Sequence, residues 1–183
     1  MTSLGRALAA ISAGPVLVLS GLALFGGVAG AGSDLVAYPV GYATRFVRYN
    51  ETDRPDRKIV RVFYVNPDAW RDAKAGEPAP NGAVLVMEDR KAKLKADGSP
   101  ETDGEGRMIA TDEVTAVFLM EKRRGWGAEY PPEKRNGEWE YARFNPDGSR
   151  PDGAQFDGCF ACHKSRVGRD FTFTFVKTVL DRK

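Results

Sequence analysis

Residues 58–65 have the sequence KIVRVFYV, which combines β-branched and aromatic side chains, and the turn-forming stretch Asn66-Pro67-Asp68 follows them. This composition predicts a β-strand that ends before Asn66. Because side chains alternate between the two faces of a strand, Arg61 and Phe63 should lie on the same face. The segment therefore predicts a sheet with an arginine on an aromatic face.

Four further segments have the alternation or the short apolar run typical of strands: residues 83–87, 114–120, 138–144 and 171–175. Asn136-Gly137 predicts a hairpin turn before the third of them. Short helices are expected within residues 34–49 and 69–74, and polar loops at residues 48–58 and 91–107. The predicted fold class is α+β, a mainly antiparallel sheet of about five strands with a few helices.

The composition is that of an ordinary globular domain. Of 183 residues, 42% are hydrophobic and 28% charged, which excludes a disordered tail, a collagen-like repeat and a multi-pass membrane protein. The formal net charge is only +2, so no nucleic-acid partner is expected. The cluster Lys122-Arg123-Arg124 predicts a solvated corner, where an acidic redox partner protein could dock.

Residues 1–31 have the layout of a secretory signal peptide. Arg6 is their single charge, an apolar run at residues 7–28 follows it, and Ala29-Gly30-Ala31 supplies the small residues of a cleavage site. An uncleaved membrane anchor is the alternative, since a run of this length can span a bilayer. Glycines, serines and a proline within the run favour cleavage. We expect residues 32–183 to form one domain in the periplasm.

The two cysteines and the single histidine of the chain all lie within Cys159-Phe160-Ala161-Cys162-His163. Cys-x-x-Cys-His is the attachment signature of c-type heme. One helical turn places both sulfurs on the same edge, where they form thioethers with the heme vinyl groups, and the adjacent histidine ligates the iron. The motif predicts one covalent heme c per chain, held by Cys159, Cys162 and His163, near the C-terminus.

Three other uses of this motif remain. A structural zinc ion needs about four ligands, so two carboxylates would have to join these residues. A thioredoxin-like dithiol normally lies in a βαβ layout, which the sequence lacks. A disulfide between residues three apart closes so small a loop that it adds little stability. Heme attachment is favoured because the chain also carries an export signal.

With one histidine, bis-histidine ligation is excluded, so the sixth iron position is taken by methionine, lysine or another weak donor, or is open. Once Met1 is removed with the leader, the methionine candidates are Met87, Met108 and Met120. Met87 and Met120 lie in predicted strands, where core packing is the ordinary role. Arg61 is either an edge residue that extends its charge to solvent or a pocket cation that hydrogen-bonds an iron ligand.

Several stretches share their order and spacing with one known family. They are Tyr38-Pro39 through Tyr42, residues 60–67, residues 82–88, Gly137-Glu138-Trp139, residues 159–163, and the Phe-Thr segment with Val179-Leu180. On these stretches the chain resembles the cytochrome P460 family, including its cytochrome c-prime-beta relatives. The resemblance implies an α+β fold, a homodimer, a heme ligated by histidine on one side, and a distal face that is open or lined by apolar side chains.

Members of that family that oxidise hydroxylamine join a strand lysine to the heme edge. The equivalent position in this sequence is Met87, which places the cross-link in doubt unless a shifted alignment brings Lys91 or Lys93 to it. The family's distal arginine corresponds to Arg61. A distal carboxylate has no clear equivalent, although Asp152 and Asp157 lie near the expected region.

The leading expectation is a periplasmic mono-heme cytochrome that binds nitric oxide or a related small nitrogen species at a five-coordinate iron. Arg61 would be the distal donor, and Met87 and Phe63 the apolar lining. The alternatives are an electron-transfer cytochrome with methionine as sixth ligand, a hydroxylamine-oxidising heme enzyme and, without heme, a thiol-redox protein. Whether the protein turns over a substrate is left open by the sequence.

Overall fold

The computed structural model describes residues 32–182. Its centre is a five-stranded sheet in which each strand is antiparallel to its sequence neighbour. In chain order the strands are β1 (Val47–Arg54), β2 (Ile59–Val65), β3 (Val84–Ala92), β4 (Ala110–Lys122) and β5 (Trp139–Phe144). The predicted α+β class, with a mainly antiparallel sheet and few helices, is confirmed.

Short helices surround the sheet: α1 (Tyr42–Arg45), α2 (Pro67–Asp72), α3 (Asp157–Lys164) and α4 (Phe175–Leu180), with single 3-10 turns at Ser33–Leu35, Pro55–Arg57 and Val167–Arg169. Pro67 begins α2 because a proline in the first turn has no N–H to satisfy. The preceding Asn66 accepts a bond of 2.8 Å from the amide of Val84, so its side chain ties α2 to β3. Within residues 32–182, none of the helices is both long and apolar enough to cross a membrane.

The two faces of the sheet carry separate cores. The first face packs against the N-terminal segment, where Val36 and Tyr42 are buried. The second face packs against α2 and α4 through Ala69 and Phe175. Residues along β2 divide between the faces as predicted: Val60, Val62 and Tyr64 lie in the first core, and Val65 lies in the second.

A buried carboxylate lies within the first core. Glu88 is 1% exposed and accepts hydrogen bonds from Tyr42 at 2.6 Å and Tyr64 at 3.2 Å. The Nε atom of Arg90 also donates to it, at 2.6 Å. These contacts link α1 to the sheet and supply the partners that a buried charge requires.

The prediction of a polar loop at residues 48–58 is wrong for most of that range. Residues 47–54 form strand β1 at the edge of the sheet, paired only with β2. An edge strand tolerates polar side chains because one side of it faces solvent. Asp53, for example, accepts bonds from the side chain of Arg107 and the amide of Met108.

The prediction of a strand at residues 171–175 is also wrong. Phe171 has a φ of 58°, which is incompatible with a strand, and Phe175 begins α4. The alternating phenylalanines therefore do not share a face. Phe175 is 1% exposed in the second core, while Phe173 is 36% exposed.

Two connections differ from their predictions. Strand β3 extends to Ala92, and the following stretch forms two isolated antiparallel bridges, Leu94 with Pro100 and Thr102 with Met108, instead of a featureless loop. The link from β4 to β5 spans residues 123–138, so Asn136-Gly137 does not form a two-residue hairpin. The helix expected within residues 34–49 is confined to α1 and the Ser33–Leu35 turn.

Lys122 is not part of a solvated corner. It is 8% exposed, and its Nζ atom donates to a carboxylate oxygen of Asp170 at 2.8 Å and to the carbonyl of Ala79 at 3.0 Å. Arg123 and Arg124 remain exposed. The Lys122–Asp170 ion pair fixes the chain that follows α3 to the end of β4.

Candidate functional site

A cavity of about 690 Å³ lies between the second face of the sheet and α3. Its size falls in the range of small-molecule sites, which are mostly apolar and contain a few placed polar groups. Apolar side chains from four strands line it: Phe63, Leu85, Met87, Phe118, Met120 and Tyr141. Cys159, Cys162 and His163 line it from α3.

Strand register explains how distant residues form the apolar wall. Phe63 pairs with Met87, and Met87 pairs with Phe118, so the three side chains form one row across β2, β3 and β4. A parallel row joins Leu85 to Met120 and Tyr141. The sequence identified Phe63 and Met87, but the cross-strand positions of Phe118 and Tyr141 require knowledge of the register.

Cys159 and Cys162 lie one turn apart on α3, and both line the cavity. Both are free thiols. Burial, and then the proximity of Cys162, raises the pKa of the Cys159 thiol, whereas redox-active dithiols have lowered values. Within residues 32–182 no three His, Cys, Asp or Glu residues lie close enough to hold a metal ion. The geometry favours attachment of both sulfurs to one group in the cavity.

His163 is held in a single orientation. Its Nδ1 atom lies 2.7 Å from the carbonyl oxygen of Phe171, and because a carbonyl only accepts, Nδ1 carries the proton. The second ring nitrogen, Nε2, is then a lone-pair donor. Burial lowers the pKa of His163, which favours the neutral ring that a metal ligand requires. Tyr141 and Phe173 pack on the ring, each with its centroid 5.0 Å away.

The Phe171 carbonyl is presented by a constrained turn. Asp170 and Phe171 both have positive φ, at 49° and 58°. The Lys122–Asp170 ion pair anchors the turn, and the Phe171 amide donates to the carbonyl of Arg166 at 2.9 Å. A Cβ atom at Gly137 would lie 3.1 Å from the Phe171 ring, so glycine permits this close approach.

Asn136, which the sequence assigned to a hairpin, supports α3. It is 1% exposed, and its amide group donates to the carbonyl of Phe160 at 2.9 Å and to the hydroxyl of Tyr141 at 3.0 Å. The side chain thus joins the helix that carries the cysteines to the sheet beneath it. No sequence signal distinguishes this role from turn chemistry, because both use an Asn-Gly pair.

Arg54, Arg57 and Arg61 line one end of the cavity. The Nε atom of Arg61 donates to Asp89 at 3.0 Å, and Arg57 lies 3.5 Å from the second oxygen of the same carboxylate. The side chain of Asp89 is only 2% exposed, and the residue pairs directly with Arg61 across β2 and β3. Asp89 is not among the residues predicted from the sequence, although its position two residues after Met87 places it on the same strand face.

The three candidate methionines separate in the structure. Met87 and Met120 line the cavity. Met108 is 5% exposed and packs in the first core, on the other face of the sheet. Only Met87 and Met120 therefore remain near the three residues of the motif.

The structure places neither of the lysines from a shifted alignment in the cavity. Lys91 is exposed and pairs with Glu113 at 2.7 Å, and Lys93 pairs with Glu101 at 3.0 Å. Among the described residues that line the cavity there is no lysine and no carboxylate, so Asp152 and Asp157 also lie outside its lining.

The family model for cytochrome P460 matches residues 39–174. The chain belongs to the cytochrome P460 family. The matched range contains every described residue of the cavity wall, from Tyr49 to Thr174. Membership of the cytochrome P460 family implies heme binding. No curated protein matches the sequence.

The residues present fit the heme that the cytochrome P460 family implies. Two thiols and an oriented imidazole lie on one wall, and the apolar row across the sheet suits the face of a porphyrin. Three guanidinium groups at one end provide positive charge for the carboxylates that a heme carries. The same cavity therefore holds the donor set, the apolar surface and the charge that this cofactor needs.

Proposed function

We propose that this protein is an exported c-type cytochrome that carries one heme per chain and binds nitric oxide or a related small nitrogen species. Cys159 and Cys162 would form the two thioethers, and Nε2 of His163 would ligate the iron. The observation that carries the proposal is the 2.7 Å contact between Nδ1 of His163 and the Phe171 carbonyl, on the wall that both cysteines share. Such a contact is the ordinary support of a metal-ligating histidine.

Heme, when bound, supplies an iron that coordinates diatomic nitrogen oxides. The protein residues would determine which ligands enter. Phe63, Met87 and Phe118 form an apolar row in the cavity, and water gains little there because it finds few hydrogen-bond partners. A neutral diatomic ligand loses less on entering such a site than water or an anion does.

Arg61 is a charged group of the cavity lining that would hydrogen-bond a ligand there. Its Nε is already committed to Asp89, so the terminal amino groups of the guanidinium are the donors that remain for a ligand or for a heme carboxylate. Asp89 would act as a positioning residue, because it restricts the guanidinium to one orientation.

Export to the periplasm follows in this proposal from the leader at residues 1–31, which lies outside the described residues. A homodimer is part of the proposal through the family resemblance, and a redox partner protein is part of it through the basic cluster at residues 122–124. Arg123 and Arg124 are exposed and would form the docking surface for such a partner, with Arg123 already paired with Glu121 and Lys122 buried.

A second candidate function is electron transfer. Met87 and Met120 both line the cavity, and a thioether sulfur as sixth ligand would close the iron and raise its potential. Oxidation of hydroxylamine has less support, because the described cavity wall contains no lysine for a cross-link to the heme edge.

Optical spectroscopy of the protein matured in a host with heme-attachment machinery tests the proposal. We expect a high-spin ferrous spectrum that shifts promptly when carbon monoxide or nitric oxide is added. A low-spin spectrum that does not respond to either gas would reject the gas-binding function and favour electron transfer with methionine as sixth ligand. The absence of covalent heme after acid–acetone extraction would reject both functions, and a strongly red-displaced band would indicate a cross-linked heme.

A further inference from the structure

Glu140 is a buried carboxylate that the heme site does not use. It lies on β5, is 0% exposed, and by strand alternation faces the first core, away from the cavity. Tyr130 donates to its Oε2 atom at 3.1 Å. Its Oε1 atom is buried and has no hydrogen-bond partner among residues 32–182. A carboxylate in this position lacks the cation that burial normally demands.

The backbone nitrogen of Gly32 reaches this carboxylate. Burial raises the pKa of Glu140, and the backbone N–H of Gly32 lies near enough to the carboxylate to act in the opposite direction. The Ser33–Leu35 turn packs against β5. Arg150 holds the same segment by donating to the carbonyls of Ser33 at 2.9 Å and Val36 at 2.6 Å. The position of the Gly32 nitrogen is therefore set by described contacts on its C-terminal side.

Gly32 is also the residue that follows Ala29-Gly30-Ala31, the small-residue triplet of the expected cleavage site. It has a φ of 138°, a conformation that side-chain-bearing residues rarely adopt, and glycine is free to adopt it. The nitrogen atom that hydrolysis of the Ala31–Gly32 bond would release is thus the one that lies beside the buried carboxylate.

We propose that Glu140 is a binding site for the α-ammonium group of Gly32, formed when the leader is cleaved after Ala31. In that step water adds across the peptide bond: Ala31 gains the carboxylate, and the Gly32 nitrogen becomes an amine that takes up a proton. The neutral amide with one N–H is replaced by a cation with three donors. One of those donors is then available for Oε1, and the carboxylate gains a counter-ion.

None of the charged side chains described near Glu140 serves as its counter-ion, so the new N-terminus can take that role. Glu121 lies opposite Glu140 in the sheet but is already paired with Arg123. Glu129 adds a further negative charge near the carboxylate. Among the described residues no lysine or arginine forms an ion pair with Glu140. The local field is negative, which favours an added cation.

The proposal rests on cleavage at Ala31 and is independent of heme and of its ligands. It predicts that only the cleaved chain completes the first core. Processing would then stabilise the mature domain, in addition to releasing it from the leader.

The first test uses the heme-loaded protein recovered from the periplasm of an expression host. Intact mass and N-terminal sequencing should show a chain that begins at Gly32, and a chain that begins elsewhere would overturn the proposal. The α-amino group is then acylated with an amine-selective ester near pH 8. An ion pair with Glu140 raises the amine pKa, so acylation should be about tenfold slower for each unit of increase than for an unstructured N-terminal peptide. Equal rates would overturn the proposal.

Two variants separate the ion pair from the ordinary structural role of Glu140. Glu140→Gln should accelerate acylation and lower the midpoint of urea unfolding, whereas Glu77→Gln, at an exposed carboxylate that pairs with Lys74, should do neither. In a second form, Ala-Ala is inserted before Gly32 so that the α-amine is displaced. Glu140→Gln should destabilise this extended form much less. Equal destabilisation in both forms would reject the ion pair.

Optical spectra recorded on the same samples distinguish this inference from the proposed function. Because Glu140 lies on the face away from the cavity, Glu140→Gln should retain the heme spectrum and the response to gas. If the optical spectra show no heme or no response to gas but the α-amine remains protected from acylation, only the proposed function is rejected. If the spectra are as expected but the amine is unprotected, only this inference is rejected.

Discussion

The Nδ1 atom of His163 lies 2.7 Å from the carbonyl oxygen of Phe171, on a turn whose preceding residue, Asp170, is paired with Lys122. The orientation of the imidazole therefore depends on an ion pair between the end of β4 and the chain that follows α3. Substitutions in that ion pair should affect both stability and iron ligation.

Asp170→Asn should destabilise the domain by about 3 kcal/mol, because it leaves the Lys122 ammonium buried without a counter-ion. Urea unfolding of the heme-loaded protein measures the change. The matched control is Asp181→Asn, which removes an exposed partner of Lys177 and should cost under about 0.5 kcal/mol. Equal effects of the two substitutions would contradict the buried role of the Lys122–Asp170 pair.

Met87→Leu and Met120→Leu test the sixth iron position. If the iron is open, both variants should retain the high-spin spectrum of the parent, since leucine preserves the apolar wall. Met108→Leu is the control, because Met108 lies in the first core and not in the cavity. Conversion of a low-spin parent to high spin by either cavity variant alone would assign that methionine as the ligand.

Asp89→Asn should weaken the retention of a bound gas. Without the carboxylate, the Arg61 guanidinium loses its orienting partner, and loss of one oriented hydrogen bond of about 1 kcal/mol corresponds to a roughly fivefold faster dissociation. Stopped-flow dissociation of nitric oxide provides the measurement. Arg71→Ala, which removes an exposed arginine outside the cavity lining, should leave the rate nearly unchanged. If Arg61→Leu also has the parental rate, Arg61 does not contact the ligand.

Acid stability should depend on Asp53. A hydrogen bond from the Arg107 side chain, with a further one from the Met108 amide, lowers the pKa of Asp53 below its ordinary value of 3.8. Since the folded-state pKa is depressed, the stabilisation is present above pH 3.8 and is lost as pH falls through the folded-state value. The stability of Asp53→Asn should therefore fall less steeply than that of the parent across this range. Parallel urea-midpoint profiles for the two proteins would contradict the assignment.

Much of the sheet could be predicted from the sequence, because β2, β3, β4 and β5 each have an apolar or alternating pattern. Strand β1 could not, since its position at the edge permits polar side chains that locally resemble a loop. The alternating Phe-Thr segment was misleading for the opposite reason. Its local pattern suits a strand, but tertiary contacts place Phe171 in a positive-φ turn and Phe175 in a helix.

The sequence predicted the residues of the candidate site that would bind heme, but not the residues that hold them in position. Cys159, Cys162 and His163 follow from one contiguous motif, and strand alternation placed Arg61 with Phe63. Asp89 and Asn136 were missed because their roles depend on cross-strand register and on a contact with α3. Such contacts join residues far apart in the chain, and local sequence patterns do not predict them.

Each strand from β2 to β5 pairs with the strand before it, and the described sheet ends at Phe144, before the cysteine-bearing helix begins at Asp157. A chain that crosses a membrane from its N-terminus would thus deliver all five strands ahead of its two thiols. Meander pairing involves short loop closures and forms quickly. The apolar wall of the cavity can consequently form before the thiols react, so that heme would be attached to a sheet that is already folded.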